Sequence, residues 1–211
     1  IQYLGRDAKD MKYRYTWNAP LICSKYDPRV YYHGAQVLLR TDDMGKHWTE
    51  VSPDLTRNDK TKQGKMGVPY TNEAVGAENY GTLAYIAESA LEQGVIWTGS
   101  DDGLVYITRD NCKTWTNVTP AGLPECQINA IELSSFDKGT AYIATTRYKF
   151  NDKAPGLYKT SDYGKTWAKI DTGIPVGAFT RVLREDPVRK DLLYAGTETG
   201  VPRRQTMAHR S

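Results

Sequence analysis

The sequence predicts an all-β protein assembled from repeated four-stranded antiparallel sheets. Three observations carry that expectation. A short phrase recurs three times at a spacing suited to such a sheet, each copy sits among four β-rich runs, and the aromatic content is weighted toward amphipathic rings, with Tyr 15 and Trp 5 against Phe 3, the usage of half-exposed sheets.

The phrase reads Thr41-Asp42-Asp43-Met44-Gly45-Lys46-His47-Trp48, then Thr108-Arg109-Asp110-Asn111-Cys112-Lys113-Thr114-Trp115, then Thr160-Ser161-Asp162-Tyr163-Gly164-Lys165-Thr166-Trp167. Its aspartates lie 67 and 52 residues apart. That is longer than helical repeats and near the roughly 40–50 residues of a four-stranded blade. In the first unit the β-rich runs are 16–23, 30–34, 36–40 and 48–52. The second offers 83–88, 95–99, 104–108 and 115–118, and the third 127–133, 140–145, 157–160 and 167–170. Four strands per unit is the blade count of a propeller. A fourth unit opens with 179–184 and 192–196 and then stops matching. The expected organisation is an incomplete propeller over 1–201, with blades at about 12–52, 80–119, 127–171 and 178–201, followed by a non-matching, disordered tail over 202–211.

The phrase has the chemistry of a turn between third and fourth strands. The aspartate accepts hydrogen bonds from backbone N–H groups two or three residues on, and the hydroxyl before it donates back to the carboxylate. Gly45 and Gly164 supply the positive φ of a tight reversal. Cys112 stands at that position in the second copy, so the backbone there is expected either to differ, with Asn111, which tolerates the left-handed region, taking over, or to carry strain of about 1 kcal/mol. Trp48, Trp115 and Trp167 then open the last strand with a large apolar surface, worth roughly 2–3 kcal/mol when buried. Asp43, Gly45, Trp48, Asp110, Trp115, Asp162, Gly164 and Trp167 are thus read as structural.

The pattern resembles the Asp-box, or BNR, repeat of sialidases, sortilin-like receptor domains, xyloglucanase-type glycosidases and secreted bacterial propellers. The wording 17–20 (Trp-Asn-Ala-Pro), 52–56 (Ser-Pro-Asp-Leu-Thr) and 72–76 (Asn-Glu-Ala-Val-Gly) is most similar to bacterial sortilin-like propellers labelled as glycosyl hydrolases. The resemblance implies an all-β propeller with Asp-box turns, an extracellular or periplasmic location, no cofactor, and a peptide or glycan ligand. It lacks the arginine-led motif of sialidases. The phrase Thr197-Glu198-Thr199-Gly200 carries Glu198 where the xyloglucanase-like pattern has an aspartate.

Charge and composition exclude other classes. The net charge of +3 is supplied by Arg203, Arg204 and Arg210 near the end of the chain, and no basic stripe interleaved with stacking aromatics points to nucleic acid. No stretch approaches the roughly 20 apolar residues of a membrane span. His33, His47 and His209 show no metal-ligand spacing. An odd number of cysteines precludes complete pairing. In the blade arrangement Cys112 and Cys126 lie at opposite ends of a strand, beyond the roughly 7 Å that a disulfide allows, and Cys23 is expected to be buried in a strand.

Candidate function gathers on the face opposite the aspartate turns, where interblade links and second-to-third-strand loops meet. The first link, 53–81, is unusually long, a length that in compact domains accompanies function or disorder. Its second half crowds Tyr70, Asn72, Glu73, Glu78, Asn79 and Tyr80 into eleven residues. The same face is expected to carry Asp101 and Asp102, and an inserted loop at 146–156 with Arg147 and Tyr148. The ligand-binding candidates are therefore Tyr70, Glu73, Glu78, Tyr80, Asp101, Asp102, Arg147 and Tyr148. Two functions follow: a non-catalytic binding propeller, or a glycoside hydrolase using a carboxylate pair such as Glu73 and Glu78, which needs a separation of about 5–10 Å. Unclosed end blades further predict a segment of a longer protein, or self-association.

Overall fold

A computed structural model describes residues 7–64, 79–200 and, as backbone, 203–205. It is nearly all β. The first sheet contains β1 (Leu21–Cys23), β2 (Tyr31–Gly34), β3 (Leu38–Thr41) and β4 (Thr49–Glu50). The second contains β5 (Leu83–Glu88), β6 (Ile96–Ser100), β7 (Val105–Thr108) and β8 (Thr116–Asn117). The third contains β9 (Gln127–Leu133), β10 (Ala141–Arg147), β11 (Asp152–Thr160) and β12 (Ala168–Lys169), and the fourth β13 (Thr180–Glu185), β14 (Leu192–Thr197) and β15 (Arg203–Gln205). Every neighbouring pair is antiparallel and every sheet keeps chain order. The chain therefore folds as three four-stranded blades and a three-stranded fourth, a partial β-propeller.

Apolar residues on successive strands fill the spaces between blades. Leu38, Leu83, Ile86 and Ile96 pack between the first and second blades, Trp97, Ile107, Ile128 and Ile143 between the second and third, and Tyr142, Leu157, Leu183 and Leu193 between the third and fourth. All are buried. The second and third blades each have two apolar faces, covered by the neighbours on either side.

The recurring phrase forms one turn three times. Thr41, Thr108 and Thr160 donate their hydroxyls to Asp43, Asp110 and Asp162 Oδ1 at 2.8, 2.9 and 2.8 Å. The same Oδ1 accepts the backbone N–H of His47, Thr114 or Thr166, each at 2.9 Å, which lie four residues on and not two or three. The other carboxylate oxygen accepts the Thr114 and Thr166 hydroxyls at 2.6 Å, and in the first turn His47 Nδ1–H at 2.6 Å. These donors hold the Asp110 and Asp162 carboxyls down to about 2, with the threonine hydroxyl as the largest cause, and lower Asp43 as well, chiefly through the His47 N–H.

Two consecutive residues in each turn take positive φ: Met44 and Gly45, Asn111 and Cys112, Tyr163 and Gly164. Asn111 takes the left-handed region without relieving Cys112, so of the two expectations the strained one holds. Cys112 itself sits at φ 67°, at a cost of about 1–2 kcal/mol for a side chain bearing Cβ.

The tryptophans join the blades. Trp115 Nε1–H donates across to the Val51 carbonyl at 3.0 Å, and Trp167 Nε1–H to the Val118 carbonyl at 2.7 Å. Val51 and Val118 directly follow the fourth strand of the preceding blade, each N–H still bonded to the third strand, at Leu38 and Val105. Gly164 lies against the same spot: a Cβ there would come within 2.6 Å of Val118 Cβ. Trp48 occupies the equivalent place on the first blade but is 39% exposed, edged by His33. The outer face of that blade, Ala35, Val37 and Leu39, is covered by Tyr13 and Tyr15. Arg14, 3% exposed, anchors this strap by donating to the Gly81 carbonyl at 3.1 Å and to Asp54 Oδ2 at 2.9 Å.

Three local expectations change. Cys23 is exposed, because it shares with Leu21 the face of β1 that no sheet covers. The insert at 146–156 is not a loop: β10 and β11 extend into it, joined by a single helical turn at Tyr148–Phe150. And 203–205, read as part of a non-matching tail, pairs with β14. All three cysteines are free thiols. No helix among the described residues is long and apolar enough to cross a membrane.

Two outcomes follow. Trp167→Phe keeps the ring and removes the donor, leaving the Val118 carbonyl unpaired. Urea unfolding should show a loss of about 1–3 kcal/mol, whereas Trp48→Phe should cost no more than a few tenths. Because the turn carboxyls are depressed, their contribution is complete above the ordinary aspartate range and is lost as pH falls from about 4 to about 2. The urea midpoint should drop through that window, with a shallower slope in Asp162→Asn.

Candidate functional site

The strands nearest the propeller axis are β5, β9 and β13, and each carries a β-bulge at its start. Leu83 faces Ser100 and Tyr85 faces Gly99, leaving Ala84 as the extra residue. Ile128 and Ala130 face Thr145 and Ala144, leaving Asn129; Thr180 and Val182 face Thr197 and Gly196, leaving Arg181. A bulge turns one side chain out of the ladder's alternation. All three extra residues line one pocket of about 490 Å³.

That pocket opens on the face where links and second-to-third-strand loops converge. Thr16, Trp17 and Asn18 enter from the segment before β1, Asn79 and Tyr80 from the end of the long link, and Gln127 from the first residue of β9. Asp101 comes from the β6–β7 loop, and Tyr148 and Lys149 from the turn between β10 and β11. Trp17 is 70% exposed, an unusual investment of apolar surface at a rim.

One wall is built around a cation. The Arg181 guanidinium lies 4.8 Å from the centres of both the Tyr148 and Phe179 rings, which stack on each other at 5.4 Å. Arg181 Nε–H also donates to Glu198 Oε2 at 3.2 Å. Asn129 is fixed by its Nδ2–H donating to the Thr180 carbonyl at 2.9 Å, and Thr180 is itself tied to Thr145 and Gly156. Across the axis, Arg184 donates to the Tyr85 hydroxyl at 3.1 Å, joining the fourth blade to the second.

The opposite wall is acidic and closed. Asp101 Oδ1 accepts the N–H groups of Gly81 at 3.1 Å and Thr82 at 2.9 Å, and its Oδ2 accepts the Thr82 hydroxyl at 3.1 Å. Asp102 points away into the protein, accepting the Ser100 hydroxyl at 2.5 Å and the Arg57 N–H at 2.8 Å. Burial raises both carboxyls, and the Asp102 charge adds to the rise at Asp101.

Of the sequence candidates, the structure brings Tyr80, Asp101 and Tyr148 together in the pocket. Asp102 is fully buried behind it, and Arg147 serves the hairpin, bonding Asp152 at 2.7 Å and the Glu125 carbonyl at 3.0 Å. Tyr70, Glu73 and Glu78 lie outside the described residues. Reading the sequence missed Tyr85, Gln127, Asn129 and Arg181. A signal existed in polar residues opening otherwise apolar inner strands, at 127, 129 and 181. Among the described residues that line the pocket, Asp101 is the one carboxylate, and both its oxygens are occupied.

No protein-family model matches the chain. It is similar to vacuolar protein sorting/targeting protein 10 of Laccaria bicolor, 30% identical over 108 residues, and of Colletotrichum graminicola, 29% identical over 85. These matches take in 50% and 40% of this chain but 7% and 5% of those proteins, so the chain spans less than a tenth of the curated relatives that it matches. Among solved structures it is similar to the GH74 xyloglucanase of Xanthomonas campestris, with a TM-score of 0.62 and 21% identity, over 88% of this chain and 28% of that one. It is also similar to YCF48 of Cyanidioschyzon merolae, with a TM-score of 0.50 and 13% identity, over 100% of this chain and 61% of that one. Both are β-propellers. At these identities the likeness to the solved structures is one of fold, and the chain's fold is sortilin-like and propeller-like.

Proposed function

We propose that this chain is a binding propeller whose axial pocket holds a peptide or glycan without transforming it. The observation that carries this reading is the alignment of the three bulges, which bring Ala84, Asn129 and Arg181 from separate blades to one pocket. A rim of amides, phenols and an exposed indole suits a polar, chain-like ligand that offers hydroxyl or peptide groups and flat apolar faces. The relatives named for vacuolar sorting and targeting support a capture role and a secretory-pathway setting. The small share of those relatives that the chain spans supports its working as part of a larger propeller protein. The Asp-box assignment of the three turns belongs to the same reading, supported by their shared hydrogen bonds.

Hydrolysis is the competing reading, resting on Glu73 and Glu78. Within the described pocket, Asp101 is committed to backbone groups, which supports capture over cleavage.

Screening the protein against an array of oligosaccharides and a library of short peptides tests the proposal. A bound class should emerge, and calorimetry on it should show about tenfold weaker binding for Trp17→Ala and Gln127→Ala with the thermal midpoint unchanged. Binding that ignores both substitutions would move the site elsewhere. Oligosaccharide breakdown lost in Glu73→Gln or Glu78→Gln would establish the hydrolase.

A further inference from the structure

The long interblade link is held at both of its described ends by two adjacent aspartates. At its start, Arg57 gives its backbone N–H to Asp102 Oδ2 at 2.8 Å and its Nε–H to the Asp102 carbonyl at 2.7 Å. At its end, Gly81 and Thr82 give three hydrogen bonds to Asp101, and Asp101 N–H returns one to the Thr82 carbonyl at 2.9 Å. Asn79 and Tyr80, in the pocket wall, directly precede the second attachment. No other β2–β3-type loop in the chain places two carboxylates side by side: the corresponding turn of the first blade carries Ala35-Gln36-Val37.

Two buried neighbouring carboxyls do not ionise together at ordinary cost, because each loses water and faces the other's charge. The surrounding cations only partly offset this. Lys149 faces Asp101 from the third blade, and Arg57 faces Asp102 from the link. Arg14 pairs with Asp54, whose own charge opposes Asp102, and also donates its Nε–H to the Gly81 carbonyl, a second hold on that end of the link. Cys126, beside the same loop, is pushed up to about 12 by burial and stays neutral.

The geometry gives a proton one place to sit, once the Thr82 hydroxyl hydrogen turns off Asp101. Asp101 Oδ2 touches only the Thr82 hydroxyl among its bonded partners, so a proton on Oδ2 reverses that bond and donates to Thr82 Oγ1. Oδ1 keeps both N–H groups.

We propose that Asp101 and Asp102 form a proton-holding clasp that fastens both ends of the link to the β6–β7 loop, and that it tightens as the medium acidifies. The clasp stands apart from the ligand reading, since it fails or holds whatever the pocket binds. The sign follows from linkage. A carboxyl that is raised in the folded state binds its proton more tightly there than in an opened segment, so opening becomes rarer as pH falls toward the ordinary carboxyl range. Burial and the Asp102 charge raise Asp101, so below its raised range each pH unit suppresses opening by up to about tenfold until pH approaches 4.

Amide hydrogen exchange of the intact chain by NMR tests this. Protection of Gly81 and Thr82, relative to unstructured rates, should rise by some tens of fold from pH 8 to pH 5, while Ile107 in β7 stays level. In Asp101→Asn, which mimics the neutral acid, the rise should vanish. The Asp101 carboxyl carbon of the wild-type chain, followed directly, should titrate well above an ordinary aspartate, a reading that stands even if the variant does not fold. Flat protection in the wild type, an unchanged rise in the variant, or ordinary titration of that carbon would overturn the clasp.

Discussion

The stacking of the first three blades depends on one donor reaching from the second blade to the first and from the third to the second. The aspartate turn exists to deliver that donor: two left-handed residues reverse the chain, the carboxylate gathers the loop, and the tryptophan emerges at the start of the fourth strand. Its indole N–H then finds a main-chain carbonyl at the end of the neighbouring blade's last strand, at a point where the sheet ladder has run out. A carbonyl at a strand end needs a partner or water, and a half-buried indole N–H turned from solvent needs an acceptor. The interlock meets both needs and fixes the rotation between blades. The Trp97 ring, edge-on to Trp167 at 6.2 Å, fills the space behind it.

Much of this was legible in the sequence because it is periodic. The runs at 83–88 and 127–133 coincide with β5 and β9, and the turn phrase marks the third-to-fourth-strand corner in every full blade. The first run, 16–23, fared worse: only Leu21–Cys23 remains a strand, since Thr16, Trp17 and Asn18 leave the sheet to line the pocket. The insert after residue 146 looked hydrophilic and therefore loop-like, yet Arg147 and Asp152 pair across it. Hydrophilicity does not distinguish a loop from an exposed hairpin end.

The site was legible only by face. Three of its residues are supplied by bulges, and a bulge is a property of register between two strands, with no residue type of its own: Ala84, Asn129 and Arg181 share nothing chemically. Asp101 and Asp102 were expected as ligand groups on a loop. Asp101 does line the pocket, with both oxygens bonded to Gly81 and Thr82, while Asp102 lies behind it, bonded to Ser100 and Arg57. The molecule thus separates its tasks: repeated chemistry on one face builds the propeller, and unrepeated residues on the other shape the pocket.

The interlock is tested most directly by exchange of the indole hydrogens, read residue by residue in an NMR spectrum of the intact chain. Trp115 and Trp167 should exchange slowly, and Trp48 and Trp17 at rates near those of free indole. Equal and rapid exchange at all four would contradict the blade-to-blade hydrogen bond and the radial stacking built on it.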